Sequence, residues 1–115
     1  MKFFIALVLA LAVCSFASAQ GFDGGWLPIQ YDPHNETLAN YYIFGCEMSQ
    51  VRAIQSGEDP NGDWVFIDVI SLQYIISDGN NYRFNVAITE GTQGNATLTF
   101  VVNNSPLHLV SWQLD

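Results

Sequence analysis

The chain has 115 residues, 50% of them hydrophobic and only 12% charged; a chain of this size supports one domain around one core and leaves no room for a second. Three basic residues stand against eleven acidic ones, giving a formal net charge of −8, which excludes the basic surface that a nucleic-acid partner needs.

Residues 1–19 read as an export signal: Lys2 supplies the positive start, Phe3 to Val13 the apolar stretch, and Ala17-Ser18-Ala19 the small-residue pattern before Gln20. The apolar run is too short to span a bilayer comfortably, and no other stretch does so, so no membrane partner is expected. The expected working protein is residues 20–115, extracellular, with Arg52 and Arg83 left against eleven acids, 2 minus 11, or a net charge of −9. Because the acids are scattered, that charge reads as solubility before attraction to a basic partner. Cys14 lies in the signal, so Cys46 remains alone and no internal disulfide can form; a buried, inert thiol is expected, with an intermolecular disulfide as the lesser alternative.

Residues 20–31 carry Gly21, Gly24, Gly25 and Pro28 with little apolar spacing, and read as a flexible lead-in pinned to the body by Trp26 and Ile29. Asp32-Pro33 predicts a helix start, with Asp as cap, Pro at the first helical position and Glu36 at the positive end of the dipole. The helix is expected to reach about Ile54. Leu38, Ala39, Tyr42, Ile43, Cys46 and Ala53 fall along one broad face. Gly45 costs a helix about 1 kcal/mol relative to Ala, which is tolerable if it lets the helix lie close to a sheet. Ser56 to Asp63 is a polar turn cluster that ends the helix.

Four strands follow. The first, Trp64 to Ser77, places Phe66, Ile70, Leu72, Tyr74 and Ile76 on one parity and Val65, Ile67 and Val69 on the other. A strand of that length is expected to bend or bulge near Ser71. Asp78-Gly79-Asn80-Asn81 reads as a hairpin turn. The second strand, Tyr82 to Thr89, alternates: Tyr82, Phe84, Val86 and Ile88 face in, and Arg83, Asn85 and Thr89 face out. A loop over Glu90 to Asn95 leads to a third strand, Thr97 to Asn103, and Asn103-Asn104-Ser105-Pro106 turns it into a fourth, Leu107 to Leu114. One helix laid across an antiparallel meander of four to five strands is an α+β domain.

Chemistry is sparse along this chain. His34 and His108 are joined by no paired carboxylates and no serine motif, so no catalytic residue is assigned and no enzyme is expected. One thiol and two distant histidines do not make a metal site, and Gly24-Gly25 follows no strand, so no phosphate loop, no metal and no cofactor are expected. Three glycosylation sequons begin at Asn35, Asn95 and Asn103, the last with Pro106 behind it. Three irregular pieces remain: the Gly24-Gly25 lead-in, the tip around Gly79 and the tip around Pro106. Both tips belong at one end of the meander, within reach of the lead-in, and such an edge can fill a partner's groove without any chemistry.

At these residues the chain resembles the cystatin family of papain-type cysteine peptidase inhibitors. Val69-Ile70-Ser71 through Tyr82 to Val86 and Ile88 follow, without a gap, the family's strand, inhibitory hairpin and next strand. Gly24-Gly25-Trp26, Pro28 and Asp32-Pro33 look like the start of insect and plant members, Leu38-Ala39-Asn40-Tyr41 lies at the plant helix signature, and Thr99 to Val102 before Pro106 matches the third strand. The resemblance covers nearly all of residues 24–114. It implies a cystatin-like fold and a papain-type cysteine peptidase as partner; together with the export signal, the sequons and the lone Cys46, the expected protein is a secreted glycoprotein without internal disulfides, and a monomer. The peptidase-binding residues it implies are Gly24 or Gly25, then Ile75, Ile76, Ser77, Asp78 and Gly79, then Pro106 and Leu107. The chain departs from the family at Ile75, where the motif has Gln, at Ser77, where it has Val, at the penultimate Asp78, and at Leu107, where Trp is expected. Two functions stay open on this reading: noncovalent inhibition of papain-type peptidases, and a non-inhibitory binding module on the same fold.

Overall fold

A computed structural model describes residues 24–115; the expected export signal and the first part of the lead-in lie outside the described residues. The helix, α1, spans Glu36–Ser56. Its cap is Asn35, whose side chain accepts from Leu38 N at 3.2 Å, and not Asp32 as the Asp-Pro pair predicted. Asp32 makes the preceding turn instead: Oδ1 accepts from His34 N at 2.9 Å and its carbonyl from Asn35 N at 3.0 Å. Asn35, three residues on, satisfies the helix's free amides, so the helix starts about one turn later than the Asp-Pro pair predicts. Gly57, at φ 85°, closes the helix in the left-handed region.

Five strands form one antiparallel sheet in the order of the chain. Within the expected lead-in, Leu27–Ile29 is a short edge strand, β1, paired with Leu72 to Tyr74; Pro28 is tolerated there because an edge strand leaves one side without ladder bonds. Next come β2 (Trp64–Ile76), β3 (Asn80–Glu90), β4 (Asn95–Asn104) and β5 (Leu107–Leu114), with a single 3-10 turn at Gly91–Gln93 between β3 and β4. The first hairpin turn is Ser77-Asp78-Gly79, and Asn80 and Asn81, expected in the turn, already pair with Ile76 and Ile75. The second turn is likewise narrowed to Ser105-Pro106, because Asn103 and Asn104 pair with His108 and Leu107; the Ser105-Pro106 peptide is cis.

The bulge foreseen near Ser71 falls at Ile70, and a second one at Ile67 was not foreseen. Together they decide which parity faces the helix. Ile70, which shares its sequence parity with Leu72 and Tyr74, is 61% exposed, and Val69 takes the place opposite Val86; one extra residue in a strand flips every side chain beyond it. Past the bulge Leu72 and Tyr74 return to the inner face opposite Phe84 and Tyr82.

Between helix and sheet lies the core, where Phe84, Val86, Ile88, Leu98, Phe100 and Val102 of β3 and β4 have no exposed surface. Burying side chains of this size stabilises the fold by about 1.5–3 kcal/mol each. Phe84 and Phe100 stack with centroids 5.1 Å apart, and α1 crosses above them at Gly45. A Cβ added to Gly45 would overlap the Phe100 ring, so the glycine permits the close approach its position implied. Leu38, Cys46, Ser49 and Ala53 share the buried face of α1. Ile43, expected beside them, is 51% exposed, because the contact stripe is narrower than the apolar spacing implied. Cys46 is buried, as expected, and burial pushes its thiol up to about 12. No helix among the described residues is long and apolar enough to cross a membrane.

Candidate functional site

The meander sends the β2–β3 and β4–β5 turns to the same end of the sheet, and antiparallel pairing of β1 carries the lead-in there too. Leu27 lies opposite Tyr74, so the residues before it run toward the first tip. At Gly25 an added Cβ would lie 3.2 Å from the Ile75 side chain. Trp26 sits on the outer, helix-free face with the Arg83 guanidinium 4.5 Å from its ring centroid, and Arg83 Nε donates to Gln73 Oε1 at 2.7 Å. That stack of cation on indole ties the lead-in to β3. Gly24, Gly25, Ile75, Ile76, Ser77, Asp78, Gly79, Pro106 and Leu107 therefore belong to one end of the molecule.

The two tips touch. Gly79 has φ 105° and Asp78 φ 53°, a left-handed pair that three residues need to reverse the chain, with Ser77 N donating to Gly79 O at 2.9 Å. A Cβ on Gly79 would come within 2.8 Å of Ser105 Cβ in the other tip. Glycine is required here twice over, for the backbone angle and for the approach. Outside this contact the edge exposes two apolar side chains beside the polar Ser77 and Asp78: Ile76 is 71% exposed, the highest value among the large hydrophobic residues described, and Leu107 is 38% exposed.

Polar groups at the base of the tips hold them together, a role that their sequence signals, turn chemistry at Asn80-Asn81 and a sequon at Asn103, do not convey. Two asparagine doublets, Asn80-Asn81 entering β3 and Asn103-Asn104 leaving β4, face each other across the ladder. On the outer face Asn103 Nδ2 donates to Asp78 O and to Asn81 Oδ1, both at 3.0 Å. Asn103 Oδ1 accepts from Ser105 N at 2.8 Å, and Asn81 Nδ2 donates to Ser77 O at 2.8 Å. On the inner face Asn104 Oδ1 accepts from Asn80 N at 3.3 Å while its Nδ2 donates to Tyr41 Oη at 3.2 Å. Tyr74 Oη donates to Asn80 Oδ1 at 3.0 Å, and the Tyr41 and Tyr74 rings flank Tyr82 at 4.9 and 5.2 Å. Burial raises the Tyr82 phenol above its usual value, with Tyr41 and Tyr74 adding to the effect.

Of the three sequons, Asn35 and Asn95 are exposed, but Asn103 is 5% exposed. A glycan on Asn103 Nδ2 would take the place of one of its two hydrogens, both of which already bond inside the sheet. His34 and His108 stay apart: His34 pairs with Asp32 at 3.4 Å ahead of the helix, and His108 Nδ1 lies 2.7 Å from Pro106 O in the second hairpin. Among the described residues no three His, Cys, Asp or Glu side chains cluster to hold a metal. Compared with family models, curated proteins and solved structures, the chain finds no match.

Proposed function

We propose that the chain is a secreted, cystatin-like glycoprotein that inhibits papain-type cysteine peptidases without covalent chemistry, its lead-in and two hairpin tips entering the peptidase cleft. One observation carries the reading. Three stretches far apart in sequence, at Gly24-Gly25, at Ile75 to Gly79 and at Pro106-Leu107, meet as one narrow edge, and that edge exposes apolar side chains at Ile76 and Leu107. Such an edge buries apolar surface in a concave partner, and a handful of well-seated side chains then supplies most of the binding energy. The resemblance along β2 and β3 supplies the partner class.

Asp78 favours a second reading, a binding module that does not inhibit these peptidases. The residue is exposed at the very tip, and a carboxylate entering an apolar cleft has to be paired or stay wet. Ser77 beside it offers little apolar surface.

One titration separates the two. The purified protein is added to papain and to several cathepsin-like peptidases, with folding verified by circular dichroism. Reversible inhibition with the inhibitor uncleaved is the expected result; none at micromolar concentration from folded protein overturns the first reading. Inhibition that emerges only in the Ile75→Gln, Ser77→Val double variant establishes the second.

A further inference from the structure

We infer that Asn81 and Asn103 are positioning residues that lock the two hairpin tips into a single preformed edge. Each tip is a short reversal whose internal bonds run largely through these two amides: in the first, Ser77 N donates to Gly79 O and Asn81 Nδ2 to Ser77 O, and in the second Ser105 N donates to Asn103 Oδ1. On the inner face Asn80 N to Asn104 Oδ1 links them, and on the outer face, where the Asp78 carbonyl is reached, the link is the amide pair. Asn103 reaches from the second hairpin to the carbonyl of Asp78 in the first and to Asn81, while Asn81 returns to Ser77 O and, at 3.5 Å, Ile75 O. Both side chains are nearly buried, at 8% and 5% exposure, so their hydrogen bonds are shielded from water and costly to leave unmade. The Gly79 approach to Ser105 then has no slack, and movement of one tip must displace the other.

The consequence rests on the peptidase-edge reading in one respect only, the identity of the partner. A preformed edge loses little freedom on binding, so its complex forms without rearrangement and dissociates slowly. The amide of Asn103 cannot both do this and carry a glycan.

Native-state hydrogen exchange tests the lock without any partner present. In Asn103→Ala the amides of Ser77 and Asn80, whose own acceptors are Gly79 O and Asn104 Oδ1, are expected to exchange about tenfold faster relative to the core amides of Phe84 and Phe100, the size expected when buried partners are orphaned. Asn81→Ala, which leaves Ser105 N its acceptor on Asn103, is expected to accelerate Ser105 in the same way and provides the measurement if Asn103→Ala does not fold. Acceleration confined to the mutated hairpin, or equal at tips and core, overturns the inference. Where a peptidase is bound, the same variants are expected to dissociate about tenfold faster with a nearly unchanged association rate; an unchanged dissociation rate overturns the kinetic consequence. Failure of the wild-type protein to bind any peptidase sinks the functional reading and leaves the exchange result to decide the lock.

Discussion

The middle of the sheet and its tip end are held by different forces. Under α1 the sheet is closed chiefly by apolar contact, Phe84 on Phe100 with Gly45 above, around rings with no exposed surface. At the tips the apolar side chains of Ile76 and Leu107 face outward, and shape comes from directional bonds among Asn80, Asn81, Asn103, Asn104 and two tyrosines. Hydrophobic burial is roughly proportional to area and insensitive to angle, so it can stabilise a fold without specifying where a loop points. Hydrogen bonds contribute less net stability each but fix direction. The difference predicts that damage to the middle unfolds the protein, whereas damage to the tips spares the fold and loosens the edge.

The largest effect is expected at Phe100. Phe100→Ala removes a ring with no exposed surface and leaves a cavity under the helix, which costs about 3–5 kcal/mol. Gly45→Ala tests the same contact from the other side: it restores helix propensity, yet its methyl group occupies the space of the Phe100 ring, and overpacking of this kind costs about 1–3 kcal/mol. Denaturant titration checks both. If Gly45→Ala were stabilising, the middle would not be closely packed, and the contrast with the tips would fail at its stronger half.

A smaller global effect is expected at Gly79. Alanine there must adopt φ near 105° against Ser105, and such strain costs on the order of 1–3 kcal/mol if the tip keeps its shape. A tip that relaxes instead loses its alignment at less cost in stability. Gly79→Ala is therefore expected to lower the melting temperature less than Phe100→Ala while weakening the proposed peptidase inhibition more, the two read by thermal denaturation and by the inhibition assay. Equal loss in both would mean that tips and middle unfold as one unit.

The sequence was most readable where one periodicity acts over a long stretch. The alternation of Tyr82, Phe84, Val86 and Ile88 fixed the central strand and its inner face, and the Leu107 to Leu114 strand matches its expected limits. It failed where local options compete. Asp32 and Asn35 both cap helices well, and only the chain's path decides between them. Ile67 and Ile70 look like core residues because a bulge leaves no mark on composition. β1 is too short to establish a period at all. The candidate edge was legible as three irregular pieces, since topology alone sends them to one end. Its lock was not: Asn-Asn before a strand or after one reads as turn chemistry, and that these four side chains pair across two hairpins depends on a register no local window contains. The doublets, placed symmetrically about the β3–β4 ladder, were the available signal.

Cys46 gives the smallest but most direct test that the middle is dry. Its side chain is 4% exposed, and burial raises the thiol from 9.0 to about 12, against a partly opposing hydrogen bond with Tyr42. At mildly alkaline pH the folded protein is expected to resist alkylation that proceeds readily in denaturant, because the thiolate is the reactive form. The sign of the pH dependence follows. Between about pH 9 and about pH 12 the unfolded chain has lost a proton that the folded chain keeps, so stability is fully present below the lower value and declines as pH rises through this window. Tyr31, Tyr42 and Tyr82 are raised by burial as well and act with the same sign. In Cys46→Ala the decline is expected to be shallower, with the tyrosines left to account for the remainder. Were Cys46 in the native protein to react as fast as an exposed thiol, the centre would be opening to water as freely as a loop, and packing would no longer distinguish it from the tips.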